Sequence, residues 1–361
     1  MTTDDAVRSR FSPVRPLLAG DVINGDKVAG FAWSSRGGDV PSTHLDDKLV
    51  LVGEEGLDSP PERGVPQSCD GAEACALMPP DDLSADQVRS AAALEPTLPH
   101  RVEALLDLPG AAWQPVARVL FASVHATGHR LWLAGGVVRD LVSGVPERQI
   151  NDLDLSGTVP AGRFSDILYQ SRRMTRMSEF RQTVTPGSLV CAVTAPGSKE
   201  RLIEYRGLSV TGFRFPAVGS SLVEDVRTRD FTFNALFYDL GNHDVLDPCG
   251  SGVDDLLADE RKFVALKATG DAFAQAEVLV RALKFAMRWK DLPAPDVSGL
   301  NSWLSRVSPH LCQVLTSKQW RKLTDMYRTN VSLEADEHRR FTERLVQPGR
   351  DLLMTLIGGA K

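Results

Sequence analysis

The stretch "LAGGVVRDLVSGVPERQINDLDLSG", residues 133–157, decides how the chain folds. An apolar run enters Gly135-Gly136, the spacing of "VVRDLVSG" predicts a short helix, and "NDLDLSG" predicts a strand. Side chains alternate along a strand, so Asp152 and Asp154 share one face while Leu153 and Leu155 share the other. Like charges held that close repel unless a cation joins them, and hard oxygen ligands at this spacing suit Mg²⁺. An exposed strand edge or an aspartate cap uses the same residues. Gly135 and Gly136 have two readings as well: a tight strand-to-helix turn, or a place where backbone N–H groups approach phosphate oxygens unhindered.

Upstream, Val116, Val119, Leu120 and Val124 fall at i, i+3, i+4 and i+8, one apolar helix face. Pro115 suits the first turn of that helix and Gly128 its C-terminal cap, after which "RLWLAGG" reads as a strand for it to pack on. Downstream, a helix is expected over "GRFSDILYQSRR", with strands near "SLVCAVTA" and "RLIEYRG". This alternation is a mixed α/β pattern. From "GDAFAQAEVLVRALKFAMRW" to the last residue the reading is mostly helical. Residues 1–100 are rich in Gly, Pro, Asp and Ser, and two short apolar runs there, "VAGFAW" and "KLVLVG", read as strands.

The 361 residues are 42% hydrophobic, enough for a sizeable core, and their net charge of -6 is unevenly spread. Residues 1–100 carry 17 acidic and 8 basic side chains, whereas residues 261–361 carry 10 and 17. The positive C-terminal end suits a polyanion, or simply solvated helix faces. No run approaches the roughly 18–20 apolar residues of a membrane span, and the start lacks the apolar core of a signal peptide, so a cytoplasmic protein without membrane contact is expected. Five scattered cysteines, an odd number, suit reduced thiols. Cys69 and Cys75 stand too far apart for a zinc knuckle.

Three motifs in order resemble the nucleotidyltransferase head domain shared by bacterial-type (class II) CCA-adding enzymes and poly(A) polymerases. The first comprises Gly135, Gly136, Arg139, Asp140, Gly144, Asp152 and Asp154. The second lies in "TRDFTFNALFYD", residues 228–239, with Thr228 where the family has an Arg. The third, in "LDPCGSGVDDL", comprises Asp247, Pro248, Gly250, Gly252 and Asp255. The resemblance implies a polymerase-β-like α/β (α+β) head with a mixed sheet over residues 101–265. It is followed by a short basic helical neck over 266–361 and preceded by an acidic extension over 1–100.

By resemblance, Asp152 and Asp154 are the catalytic metal-binding pair and Mg²⁺ the cofactor, with Glu204 in "LIEYRG" the candidate third carboxylate, although its spacing differs from the family's string. Gly135, Gly136, Arg139, Arg229, Asp230, Asn234 and Arg281 are expected at the nucleotide. The family's base-reading Glu-Asp-x-x-Arg falls here on Ala274, Gln275 and Val278, of which only Gln275 offers a polar group to a base. The implied activity is Mg²⁺-dependent transfer of a nucleoside monophosphate from an NTP to a hydroxyl, first of all an RNA 3′ end. Transfer to a small molecule or protein, and a non-catalytic RNA- or nucleotide-binding module, are the alternatives.

Overall fold

Strand Leu131–Ala134 is buried along its whole length, which is why "LWLA" reads as an unbroken apolar run and not as an alternation. It lies inside an eight-stranded sheet in the computed structural model, which describes residues 22–23, 26–27, 82–175, 180–185, 190–194, 201–209, 218–267, 270–331 and 335–359. The chain divides into two units, residues 1–75 and 76–361. In the first, strands β1 (Val22–Ile23) and β2 (Asp26–Lys27) form a two-residue antiparallel ladder. The expected strands "VAGFAW" and "KLVLVG", and Cys69 and Cys75, lie outside the described residues.

The second unit holds β3 (Val88–Ser90), β4 (Leu131–Ala134), β5 (Leu153–Gly157), β6 (Arg181–Thr185), β7 (Val190–Thr194), β8 (Arg201–Gly207), β9 (Phe237–Asp239) and β10 (Asp244–Leu246). Their order is β3-β10-β9-β4-β5-β8-β7-β6. The β5–β8 pair is parallel and the other pairs are antiparallel, so the sheet is mixed as expected. Helices α1 (Leu98–Leu106) and α5 (Gly252–Leu257) accompany the expected ones, which appear as α2 (Ala117–His125), α3 (Gly136–Val142), α4 (Ala161–Met174) and α6 (Ala272–Arg288). Three more, α7 (Ser317–Asn330), α8 (Ala335–Glu343) and α9 (Gly349–Gly359), pack around α6.

The main core lies on the face of the sheet that carries Leu131, Leu133, Leu153 and Leu155. Phe164 of α4 stacks there on Tyr205 of β8 at 3.7 Å between ring centroids. The opposite face carries a smaller apolar cluster around Trp132 and Phe237. The basic helical segment is continuous with the main core. Phe231 and Phe233, just before β9, pack against Phe263, Phe285 and Trp289, with Phe233 5.3 Å from Phe285 and 5.1 Å from Trp289.

The expected division after residue 100 falls inside α1, and β3, assigned by sequence to the acidic extension, pairs with β10 through Val88↔Leu246, Arg89↔Val245 and Ser90↔Asp244. Three residues are too few to announce a strand, and here the ladder partner supplies the preference. Arg89 also grips Asp254 of α5 with two hydrogen bonds of 2.7 and 2.9 Å.

Candidate active site

Leu153 and Leu155 are buried in the main core, which turns Asp152, Asp154 and Ser156 to the opposite face. On that face the parallel register sets Asp154 beside Glu204 and Ser156 beside Arg206, so β8 adds one carboxylate and one guanidinium. Burial pushes the Asp154 carboxyl up to about 7, Asp152 and Glu204 add to the rise, and the Gly136 N–H and Arg139 oppose it. Asp152 is raised from the ordinary aspartate value, by burial first and then by Glu204 and Asp140. Glu204 itself is ion-paired with Arg201. Among the described residues no three carboxylate, imidazole or thiolate groups converge as a metal cage. The donor set is therefore the Asp152–Asp154 pair, with Glu204 at its side.

The glycine pair works differently from the phosphate-binding reading. The Gly135 N–H donates to the Leu236 carbonyl at 2.9 Å and the Gly136 N–H to Asp154 Oδ2 at 3.2 Å, so both are engaged within the protein. A Cβ on residue 136 would stand 2.8 Å from Asp154 Oδ2, and Gly135 sits at φ 59°, a left-handed conformation open to glycine. Glycine gives Asp154 room beside the turn.

The segment before β9 supplies the second wall. Phe231 and Phe233 anchor it in the core, leaving Arg229, Asp230 and Asn234 toward the cleft. Asn234 accepts from Arg139 Nη1 at 2.6 Å and donates to Asp230 Oδ1 at 3.1 Å, and Arg281 of α6 closes an ion pair on Asp230. Arg139 also bonds Asp140 at 2.9 Å, and Asp140 accepts from Arg288 at 2.8 Å. Asp230 and Asp140 thus pin α6 at two points two turns apart, and the Arg139–Asn234 bridge links the two pins. Arg229 donates to Asp225 and Ser156, each at 2.9 Å, and lies 4.5 Å over the Phe237 ring.

Helix α6 presents Arg281, Lys284 and Arg288 to the cleft at i, i+3 and i+7. Burial lowers the Lys284 ammonium from its ordinary value, and the guanidiniums of Arg281, Arg139 and Arg288 lower it further. Among the described residues it has no hydrogen bond or ion pair. A cation held among cations invites an anion.

Asp152, Asp154, Glu204, Gly135, Gly136, Arg139, Arg229, Asp230, Asn234 and Arg281, all expected at the site, line one cleft of about 620 Å³. Gln275 does not line it. Its residue is 3% exposed, because on α6 it falls in line with Leu279 and Ala282, whose burial turns that stripe inward. Glu277 takes the cleft-facing place, in line with Arg281, Lys284 and Arg288, with Lys267 Nζ 4.0 Å from its carboxylate. Val278 reaches the cleft as an apolar wall. The third motif stands away from it: Asp247 caps the Val253 N–H at 3.0 Å and Asp255 accepts from Thr232 at 2.7 Å, fastening α5 beneath the Asn234 turn. Sequence reasoning passed over Lys284, Arg288, Arg206 and Glu277, although the spacing 281, 284, 288 already marked a cationic stripe.

The family model for the poly A polymerase head domain matches residues 131–261. Poly(A) polymerase I of Escherichia coli O157:H7 is 25% identical over 195 residues, covering 52% of this chain and 41% of that protein. Poly(A) polymerase I of Salmonella typhi is 24% identical over 181 residues, covering 48% and 37%. The chain spans about four-tenths of the length of these curated relatives. Among solved structures, a Thermotoga maritima CCA-adding enzyme complexed with tRNA aligns at 17% identity and a TM-score of 0.48, over 71% of this chain and 54% of that one. No described helix is long and apolar enough to cross a membrane.

Proposed function

We propose, because residues 131–261 match the family model of the poly A polymerase head domain, that the protein is a Mg²⁺-dependent nucleotidyltransferase that moves a nucleoside monophosphate from an NTP to an RNA 3′ hydroxyl. The observation that carries this reading is the recessed Asp152–Asp154 pair at the foot of a cleft whose helix wall holds Lys284 without a counter-charge. In the reaction the acceptor oxygen bonds the α-phosphorus, the bond from that phosphorus to the oxygen bridging the β-phosphate breaks, pyrophosphate leaves, and the hydroxyl proton passes to solvent. Asp152 and Asp154 would hold Mg²⁺, which fits two repelling carboxylates because this ion is commonly bound by one or two carboxylates plus substrate phosphates. When bound it neutralises phosphate charge and acidifies the acceptor hydroxyl. Lys284 and Arg281 meet the triphosphate, and Asp230, held by Asn234, faces the sugar.

The test is incubation of the full chain with each labelled NTP and Mg²⁺, with total RNA, with tRNA, or with no acceptor. Label at RNA 3′ ends is the expected result. Label in protein or in a small molecule would keep the chemistry and replace the acceptor. No transfer with any NTP, together with NTP binding, would leave a binding module.

A further inference from the structure

A second cation in the cleft has no ion pair among the described residues, and it lies on the sheet side. Arg206 of β8 is directed to the cleft by its register with Ser156 and donates to two hydroxyls, Ser209 Oγ at 2.7 Å and Thr228 Oγ1 at 2.6 Å. Among the described residues no carboxylate pairs with it. Of the carboxylates around it, Asp225 is bonded to Arg229 and to the Ser209 N–H at 2.8 Å, Asp230 is paired with Arg281 and Glu204 with Arg201. Burial and the neighbouring Arg229 both act against the charge of Arg206. Bonded to neutral hydroxyls, among carboxylates each engaged by another guanidinium, this half-buried guanidinium keeps donors for an anion.

That anion is distinct from the triphosphate. The charged neighbours of Lys284 are Arg281, Arg139, Arg288 and Asp152, whereas those of Arg206 are Arg229, Asp225, Glu204 and Asp230. Lys284 stands on α6 and Arg206 on β8, two walls of the cleft that meet at the Arg281–Asp230 ion pair. Nucleotidyl transfer brings together a triphosphate and an acceptor. If α6 takes the triphosphate, an acceptor that fills the β8 position must itself carry a phosphate close to its reacting hydroxyl. A nucleic-acid strand does so at every residue, and a protein hydroxyl does not.

We propose that Arg206, oriented by Ser209 and Thr228, binds a backbone phosphate of the acceptor RNA strand near its 3′ end. This rests on the function proposed above. The experiment uses the full chain with three variants, Arg206→Gln, Arg206→Lys and Lys284→Gln, and two binding measurements. One is affinity for a non-hydrolysable NTP analogue with Mg²⁺, and the other is affinity for a single-stranded oligoribonucleotide over a range of salt concentrations.

Arg206→Gln is expected to leave NTP affinity within about twofold of wild type. It should weaken RNA binding about tenfold or more and lower the slope of log affinity against log salt by about 0.7, the value for one phosphate contact on a single strand. Arg206→Lys should restore the slope, since a point charge suffices for it. Lys284→Gln should reverse the pattern. Arg206→Gln losing NTP and RNA affinity alike would assign Arg206 to the nucleotide. An unchanged salt slope would remove the phosphate contact. Wild-type protein that binds NTP but no RNA would overturn the RNA acceptor itself, a failure visible before any variant is made. If Arg206→Gln does not fold, the slope of Arg206→Lys decides, because a wild-type slope with several-fold weaker RNA affinity and intact NTP affinity is expected of a phosphate contact alone.

Discussion

At the scale of the residue, Asp154 carries the most consequence. Its carboxyl, lifted to about 7, favours the folded protein at low pH, and that contribution is lost as the pH rises through about 7. Metal-free protein should therefore melt at lower temperature at pH 8 than at pH 6. Asp154→Asn keeps the acceptor for the Gly136 N–H and removes the charge, so it should raise the melting temperature at pH 8 by roughly 2–4 °C per kcal/mol recovered, and by a smaller amount at pH 5, inside the window from 3.8 to about 7 over which the wild type loses stability. Mg²⁺ should stabilise the wild type at pH 8 and not this variant. Equal melting curves at pH 8 with and without Mg²⁺ in the wild type would deny the pair its metal. Transfer should fall on the order of 10³ in Asp152→Ala and Asp154→Ala, as when a major electrostatic stabiliser is removed, with circular dichroism unchanged. Activity within about tenfold of wild type in both would count against the site. Gly136→Ala forces the same carboxylate aside and should lose transfer while keeping its fold.

At the scale of the element, the contrast between β5 and α6 shows what was legible and what was not. On β5 the period of two leaves one choice, and the leucines decide which face is buried, so the shared face of Asp152 and Asp154 is legible in the string alone. On α6 apolar residues occur nearly all round: Ala274, Ala276, Val278, Leu279, Val280, Ala282, Leu283, Phe285 and Ala286 are all buried. Counting positions by family spacing therefore chose Gln275, whereas packing against Phe231, Phe233 and the surrounding helices turns Glu277 to the cleft. Glu277 lies seven residues from Lys284, roughly 10 Å along the helix, a reach that a ribose and base can bridge. Its carboxylate can accept a hydrogen bond from an exocyclic amino group, as on adenine or cytosine. Glu277→Gln should change the kcat/KM ratio between amino-bearing and other NTPs by about five- to 150-fold, the worth of one buried hydrogen bond. Gln275→Ala should shift the melting temperature and leave that ratio alone. The opposite pattern would return base reading to Gln275.

At the scale of the whole molecule, the charge pattern marked a negative beginning and a positive end, but a charge balance does not locate a domain edge. Three ties run from residues 82–100 into the sheet unit. Asp82 accepts from Ser221 Oγ at 2.7 Å and from the Val223 N–H at 3.1 Å, β3 completes the edge of β10, and Arg89 clamps α5 through Asp254. Gln87 adds a fourth, donating to the Pro248 carbonyl at 2.7 Å. A chain begun at residue 101 loses all four, exposes the apolar β10 edge and cuts into α1, where Leu98 is fully buried. It also loses Glu95, a partner of Arg101, whose guanidinium meanwhile holds the loop leading to Asp152 through the Leu141 and Val145 carbonyls at 3.0 and 2.6 Å. Residues 76–361 should therefore fold as a cooperative unit and bind NTP like the full chain. Residues 101–361 should melt at least several degrees lower or aggregate, with β10 open to pairing with other chains. Size-exclusion chromatography, thermal melts and NTP titration of the two fragments separate the cases. Equal melting temperatures would show that β3 and its ties contribute nothing and restore the boundary after residue 100. Loss of NTP binding by the folded 76–361 fragment would instead bring the first 75 residues into the site.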